Sequence, residues 1–480
     1  MVNNIFIVST LIMITAIGAG ISMFIFQPDI VISTFFLIIV AYFIILDTYI
    51  SMLALGIYLL CQNLLVNIFN FVPGIEVFIN RADEVIVLTG FVIILWKRIL
   101  IRKSWDPTPI GIPVVLLVVI AVLSSVMHRL TPFKIAAFDL IILLKGFFIF
   151  YIFSCLEIKN TDIHNIIRIF FIAALAIFLL GIIDFLAPAY FRAAIGSGGD
   201  IDYRLGIPSV QSIFSHPGIF GWFMAVCATF SVAFFVILNK KQYLFFAILF
   251  TFGSMLSMRT KPVIGLSLAM FISFILMPKN RKIAYLFIIM SFVLLFAIFF
   301  GQKINLLFKD QMYTYMQSPY MIYSARNILY KTSFRIAYDY LPLGSGLGTF
   351  GGWISALYYS PVYSIYGLSS LFGLEENSSF FLMDTFWPYL IGQFGFSGLV
   401  IYILILIIFF IFLVKMIYRT DDNFIKAFVL GTILVLAEAL PESIASPIFL
   451  ASSYSYFIFA PIGIIYSVAK RDNVGLRDNH

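Results

Sequence analysis

Apolar stretches long enough to cross a bilayer recur along nearly the whole chain, separated by short polar breaks. A spanning helix needs about 20 mostly apolar residues, and about fourteen runs approach that length. They fall near 4–26, 29–46, 50–72, 84–96, 110–127, 136–156, 164–187, 216–237, 243–258, 262–278, 284–301, 385–414, 427–440 and 447–469. The pattern predicts an all-α polytopic membrane protein. The first run is read as a span rather than a cleavable leader, because Met1 to Asn4 carry no basic residue and no A-x-A site follows. Two breaks are longer than turns, 188–215 and 302–384. Such long loops inside a compact fold are usually functional. The larger has aromatic stretches at Tyr313–Tyr315 and Tyr320–Tyr323 and a Gly-rich stretch at Gly344–Gly352. It is expected to hold short helices lying on, or dipping into, one membrane face.

The breaks differ in charge. One alternate set holds Lys97, Arg98, Arg102 and Lys103, then Lys240 and Lys241, then Lys279, Arg281 and Lys282. The same set continues with Lys415, Arg419 and Lys426, then Lys470 and Arg471. Basic residues in short loops mark the cytoplasmic side. Both termini are therefore expected in the cytoplasm, and both long segments outside. The chain divides into N-terminal helices (1–200), a core with the large extracytoplasmic loop (201–415), and C-terminal helices with a short tail (416–480).

Composition closes off other classes. Apolar residues make up 62%, charged residues 11%, and mean hydropathy is +1.06. Soluble domains carry roughly 25% charge, so a soluble globule, a disordered chain and a nucleic-acid-binding domain are excluded. The net charge of +7 says less than its placement. Cys61, Cys155 and Cys227 are odd in number and lie in apolar runs, giving no disulfide framework. His128, His164, His216 and His480 are scattered, without metal-site spacing. No phosphate loop of the GxxxxGK[ST] kind occurs. No metal and no cofactor are expected.

The outer segments break the charge rule at particular places. Arg204 lies in the first long break, Arg259 and Lys261 at the outer end of a span, and Arg326, Lys331 and Arg335 in the second. With His216 beside Pro217, they form a sequence-distant, same-side cationic set. A guanidinium pairs two phosphate oxygens at once and stays charged at any physiological pH. The set therefore points to an anion site at the membrane–water boundary. Each arginine alone is equally explained by snorkelling or a local ion pair. The acidic residues on that face are Asp202, Glu375, Glu376 and Asp384. Asp384 opens a long span, where a partly desolvated carboxylate suits base work; helix N-termini also favour Asp without any catalytic role.

Ionisable residues inside spans are expensive and are functional candidates by default. They are Lys145, Asp139, Asp184, Glu438 and Glu442. A structural ion pair of Lys145 with one of the acids is the alternative. Gly344-Ser345-Gly346-Leu347-Gly348 follows no βαβ pattern and reads as a tight turn that lets the backbone approach something closely.

These stretches carry a resemblance. Ser324-Ala325-Arg326, Arg335 and Leu341-Pro342-Leu343-Gly344-Ser345-Gly346-Leu347-Gly348-Thr349-Phe350 resemble a signature of the O-antigen polymerase and ligase superfamily. Asn377-Ser378-Ser379-Phe380 through Asp384-Thr385, then Gly392 to Leu399, resemble its following segment. Arg204-Leu205-Gly206, Phe214-Ser215-His216-Pro217 and Ser257 to Thr260 resemble its upstream parts. The likeness covers roughly 200–410. It implies an integral-membrane glycosyltransferase of the GT-C type. Such enzymes act on undecaprenyl-diphosphate-linked glycans at the outer face of the bacterial plasma membrane. Related ligases carry a histidine between the positions of Glu375 and Asp384; this chain has none, which favours a polymerase of lipid-linked repeat units. On that reading Arg204, Arg259, Arg326 and Arg335 bind diphosphate or glycan without a metal, and Asp384 or His216 is the base or orients the acceptor. Tyr358, Tyr359 and Trp353 can stack on sugars or anchor at the interface. The partners implied are the lipid-linked glycan and the bilayer, with a chain-length regulator and a flippase as further candidates. A ligase, another oligosaccharyltransferase and a lipid-linked glycan transporter are the rivals. Transporters usually show two similar halves, and none is visible here.

Overall fold

The computed structural model describes residues 39–71, 74–102, 108–197, 201–204, 206–276, 325–371, 373–379 and 381–477. The expected spans at 4–26 and 284–301 and most of 29–46 lie outside these residues. So do the aromatic stretches at 313–323, the basic cluster at 279–282, Lys103, Leu205 and Phe380.

The long helices are α1 (Thr48–Phe69), α2 (Ile75–Trp96), α3 (Gly111–His128), α4 (Phe133–Cys155) and α5 (Asn160–Leu186). After the short α6 (Pro188–Ala194) come α7 (Pro217–Leu238), α8 (Lys241–Leu256) and α9 (Thr260–Leu276). The large loop contributes α10 (Ala325–Asp339), α11 (Trp353–Tyr358) and α12 (Pro361–Ile365). The chain closes with α13 (Trp387–Arg419), α14 (Asn423–Ser443) and α15 (Ser452–Arg477). Local chemistry sets several starts. Asp47 caps α1 through the Ile50 amide, and Asp422 caps α14 through the amides of Phe424 and Ile425. Pro217 occupies the first turn of α7, where its missing N–H costs nothing.

Eight helices among the described residues are long and apolar enough to cross a membrane, and α8 and α9 are shorter apolar helices. The protein is thus an all-α, multi-pass membrane protein, with eight such spans described against about fourteen expected from the apolar runs. One expected boundary is corrected. The run at 84–96 belongs to a helix that begins at Ile75, because Glu76, Arg81, Asp83 and Glu84 interrupt its hydropathy without breaking the helix.

Burial separates core from lipid face. Helix α7 is enclosed along almost its whole length, against α8, α9 and α14. Helix α15 runs along α4, so the N-terminal, central and C-terminal stretches share one core. Helices α3 and α5 turn Val115, Val119, Val122, Ile172 and Leu179 outward, as lipid-facing helices do.

The helix ends fall into two sets. At one, Asn63 donates to the Ile213 carbonyl, the Val210 amide to Leu256 and the Phe386 amide to Ser443. At the other, Arg98 reaches the Cys155 carbonyl, Arg471 the Ile158 carbonyl, and His164 stacks on Phe424. The first set, the loop end, also carries α10 to α12, which enclose their own small core around Leu329, Ile336, Phe350 and Tyr363. Short helices there match the expectation for the large loop.

The glycine stretch is where this loop grips the bundle. Helix α13 opens at Gly395, whose backbone leaves helical geometry at φ 63 and ψ −164. The break would strand the carbonyls of Gly392 and Gln393. They are met instead by the amides of Ser345 and Gly346 at 3.0 and 2.9 Å. Ser124 of α3 donates to the Gly344 carbonyl at 2.7 Å, and Ser125 accepts from the Leu347 amide at 2.8 Å. Gly344, at φ +75, lies so close that a Cβ there would sit 2.4 Å from the Gly395 nitrogen. The close backbone approach expected of this turn is realised against α13 and α3.

Candidate functional site

The segment before α7 is built on a buried ion pair. Asp184, near the end of α5, accepts from Arg192 at 3.1 Å and from the amides of Gln211 and Ser212 at 2.8 and 3.0 Å. Arg192 also donates to the Ser209 carbonyl at 2.8 Å. Asp184 thus holds a loop in place, one of the tasks open to an intramembrane acid. That loop carries a two-strand hairpin, β1 (Tyr203–Arg204) and β2 (Ile207–Pro208), followed by His216.

Around this loop the cations come together. Asp202 accepts from Arg204 at 3.1 Å and from Arg259 at 2.6 Å. Arg259 follows Met258, held at φ +53 in the turn between α8 and α9. Its Nε is enclosed and takes no partner among the described residues. Burial, then the positive charge of Arg204, pulls the Arg259 pKa below the ordinary guanidinium value; Asp202 opposes the shift, and the field of Arg326 adds to it. Arg326, in the first turn of α10, pairs with Asp384 at 2.8 Å, and both side chains are partly open to solvent.

Lys261 is tied more tightly. It donates to the Ala445 carbonyl, to Ser446 at 2.7 Å, and lies 3.7 Å from Glu442. It thereby caps the C-terminal end of α14, where carbonyls lack helical partners. Tyr330 caps the Ile444 carbonyl at 2.8 Å, and Trp387 reaches Ser443 at 2.9 Å. The turn after α14 is therefore a junction for α9, α10 and α13.

His216 is the N-cap of α7: its Nδ1 accepts the Gly218 amide at 2.9 Å. In the neutral ring Nε2 then carries the proton and can only donate. Although part of His216 is exposed, desolvation comes first among the causes that push its pKa down to about 4. The positive charges of Arg259 and Lys261 follow, with Asp384 opposing them. At neutral pH His216 is an uncharged donor set among cations.

Arg204, Arg259, Arg326, His216 and Asp384 thus come into one neighbourhood at the loop end. Arg335 does not. It sits nine residues beyond Arg326 on α10, which at about 100° per residue puts it on roughly the opposite face. There it is 75% exposed, 3.9 Å from Asp339, and lies over the Tyr366 ring. Glu375 and Glu376 lie near Tyr359, whose hydroxyl is bound to the Leu374 carbonyl. Trp353 lies under the Arg81 guanidinium at 4.8 Å. Lys145 pairs with Asp83 at 3.2 Å and Glu84 at 2.8 Å, realising the ion-pair alternative with partners the sequence did not suggest. Glu438 accepts from Thr229 at 2.7 Å. Sequence reasoning also missed Tyr330, a neutral residue with no anomaly of position, and Arg192, a basic residue in the same outer break as Arg204 whose position did signal it. Among the described residues no group of three or more His, Cys, Asp or Glu is arranged to hold a metal ion.

Chemically, four cations (Arg204, Arg259, Lys261 and Arg326) face three carboxylates (Asp202, Asp384 and Glu442). Formal charge there is one positive in excess, and the enclosed Nε of Arg259 has no partner among the described residues. No protein-family model matches the chain, and no curated protein matches it in sequence.

Proposed function

We propose that this protein is a membrane glycosyltransferase that joins undecaprenyl-diphosphate-linked oligosaccharide repeat units into a surface polysaccharide. The observation that carries the reading is the convergence of Arg204, Arg259 and Arg326 from three distant segments at one end of the bundle. Arginines at that depth suit a diphosphate whose lipid lies in the bilayer. The opposite end carries Lys240, Lys241, Arg419, Lys426 and Arg471. The positive-inside bias supports a cytoplasmic setting for that end, with both termini on the same side and the arginines at the outer face of the plasma membrane.

A diphosphate is already an activated leaving group, so the reaction needs no nucleotide. The acceptor hydroxyl oxygen attacks the anomeric carbon, and the bond from that carbon to the phosphate oxygen breaks. The diphosphate leaves with the bonding pair, and its growing charge is met by Arg259, Arg204 and Arg326. The hydroxyl proton passes to Asp384, which Arg326 holds in position. His216, with Nδ1 occupied, donates a hydrogen bond through Nε2–H and does not act as the base.

The test is elongation of lipid-linked repeats by the purified protein, with the surface-glycan ladder of a deletion strain beside it. Arg259→Ala and Arg326→Ala are expected to lower elongation roughly 100- to 1,000-fold, as loss of a preorganised charge partner does. Arg335→Ala is expected to stay within about threefold, since an exposed ion pair contributes little. Normal long chains from well-inserted Arg326→Ala protein overturn the reading. A deletion strain that keeps its polymer but loses its attachment indicates a ligase instead.

A further inference from the structure

The polar groups that the arginine site leaves unused line a second feature. Between α2, α4, α11 and the start of α15 lies a cavity of roughly 450 Å³, within the range of small-molecule sites. Its walls carry Asp83, Glu84, Asp139, Lys145, Arg81 and Trp353. Lys145 lies twelve residues into α4, about 18 Å along the helix from the loop end. At its other extreme the lining includes Ser215, Met383 and Pro447. These adjoin His216, Asp384 and Ser446 in sequence, so the cavity begins beside the arginine site and descends into the bundle.

Charge narrows what it can hold. Three carboxylates and two cations make an anion unwelcome beside Asp83, Glu84 and Asp139, and a cation unwelcome beside Lys145 and Arg81. A neutral ligand rich in hydroxyls suits both. Two carboxylate oxygens beside it lack hydrogen-bond partners among the described residues. Asp139 is 1% exposed, and its Oδ2 accepts from the Gly348 amide and Tyr389 hydroxyl at 3.0 and 3.1 Å. Its Oδ1 is buried and takes no hydrogen bond among the described residues. Gly352, also in the wall, lies close to that oxygen: a Cβ there would come within 3.6 Å of it. Glu84 spends Oε1 on Lys145, while its Oε2 is likewise buried without a partner. A buried acceptor left unsatisfied costs about 1–3 kcal/mol, and a side-chain rotation that turns either oxygen into the cavity lets a ligand hydroxyl relieve it. Trp353 adds an aromatic ring to the same wall, of the kind that packs on apolar ligand faces.

We infer that this cavity is a sugar subsite, taking pyranose units of the lipid-linked glycan whose diphosphate lies on the arginines. The inference rests on the proposed function. It explains why a charged, partly unsatisfied cluster lies next to the cationic site rather than being sealed by its own ion pairs.

The experiment measures binding of two probes to the purified full-length protein in nanodiscs. One is bare undecaprenyl diphosphate; the other is the lipid-linked glycan fraction extracted from the deletion strain. The wild type is expected to bind the glycan lipid about tenfold or more tightly than the bare diphosphate, the gain two or three good hydrogen bonds supply. Asp139→Asn keeps an oxygen for Gly348 and Tyr389 but turns a donor toward the cavity. It is expected to reduce the sugar increment to less than about twofold while leaving bare diphosphate affinity unchanged. Ser453→Phe, on the half-buried opposite wall, fills the space and is expected to do the same; it decides the matter if Asp139→Asn does not fold. Arg259→Ala is expected to weaken both probes alike. A wild type that gains nothing from the sugars, or an increment that survives in the folded variants, overturns the subsite. A wild type that binds neither probe overturns the proposed function, and the subsite with it.

Discussion

Replacing Gly344 by alanine puts a methyl group where the loop and the broken helix α13 meet. The residue sits at φ +75, and the new Cβ would lie 2.4 Å from the Gly395 nitrogen and 2.7 Å from the Gln393 carbonyl carbon. Those neighbours are backbone, fixed by the pairing of Ser345 and Gly346 with α13, so no flexible side chain can yield. Left-handed backbone costs an alanine about 1–2 kcal/mol, and overpacking adds about 1–3 kcal/mol. If the strand-like pairing slips, each lost hydrogen bond adds about 1 kcal/mol. The total is about 3–6 kcal/mol. Gly367 is the control, because it shares the backbone (φ +71) but has nothing within 4 Å of its would-be Cβ. Only the backbone cost of about 1–2 kcal/mol applies there. Thermal unfolding of the detergent-solubilised protein, followed by tryptophan fluorescence, compares the two. Gly344→Ala should lower the midpoint by about 3–6 °C and Gly367→Ala by about 1–2 °C, at the roughly 1 °C per kcal/mol of a chain this long. Equal shifts would refute the argument that close approach, rather than φ alone, requires glycine at Gly344.

Two further outcomes follow from the charges. Lys145→Met strands Asp83 and Glu84 in the bundle, where the pair's side chains are 2–16% exposed, and should cost about 3–5 kcal/mol of stability; an unchanged unfolding midpoint would mean that water reaches the pair. His216 should titrate near 4 rather than 6.5, so the stability its neutral ring contributes is present above about pH 6.5 and lost as pH falls through about 4. Histidine NMR, assigned with His216→Gln, reads this directly: Arg259→Gln should raise the midpoint, and a wild-type value near 6.5 contradicts the clustered cations.

Hydropathy alone placed α7 within a residue at each end, because that helix is apolar on every side and enclosed on every side. It misplaced the start of α2, because Arg81, Asp83 and Glu84 break the apolar run, while the charges of Asp83 and Glu84 are answered by Lys145 from α4, a partner no local window contains. Exceptions to the positive-inside rule drew attention to Arg204, Arg259 and Arg326 together. They also drew in Arg335, since loop position carries no helical phase; only the extent of α10 turns nine residues into the far side of a helix. The Gly-rich turn was legible as a close approach, but its target was not. The run at 385–414 reads as one continuous span, and the opening at Gly395 depends on backbone that packs against it from 50 residues upstream.

The turn after α14 fastens Lys261, Tyr330 and Trp387 at once, and Arg259 and Arg326 lie a few residues from two of those fastenings. Both guanidiniums are therefore tethered to the end of one transmembrane helix and not only to the loop that bears Arg326. Helices adjust their tilt to the thickness of the lipid around them. On the proposed function, a change of tilt in thinner or thicker membranes would shift that helix end, and the arginines with it, against the headgroup layer where the diphosphate lies, making lipid chain length a control on turnover that acts without touching any residue of the site.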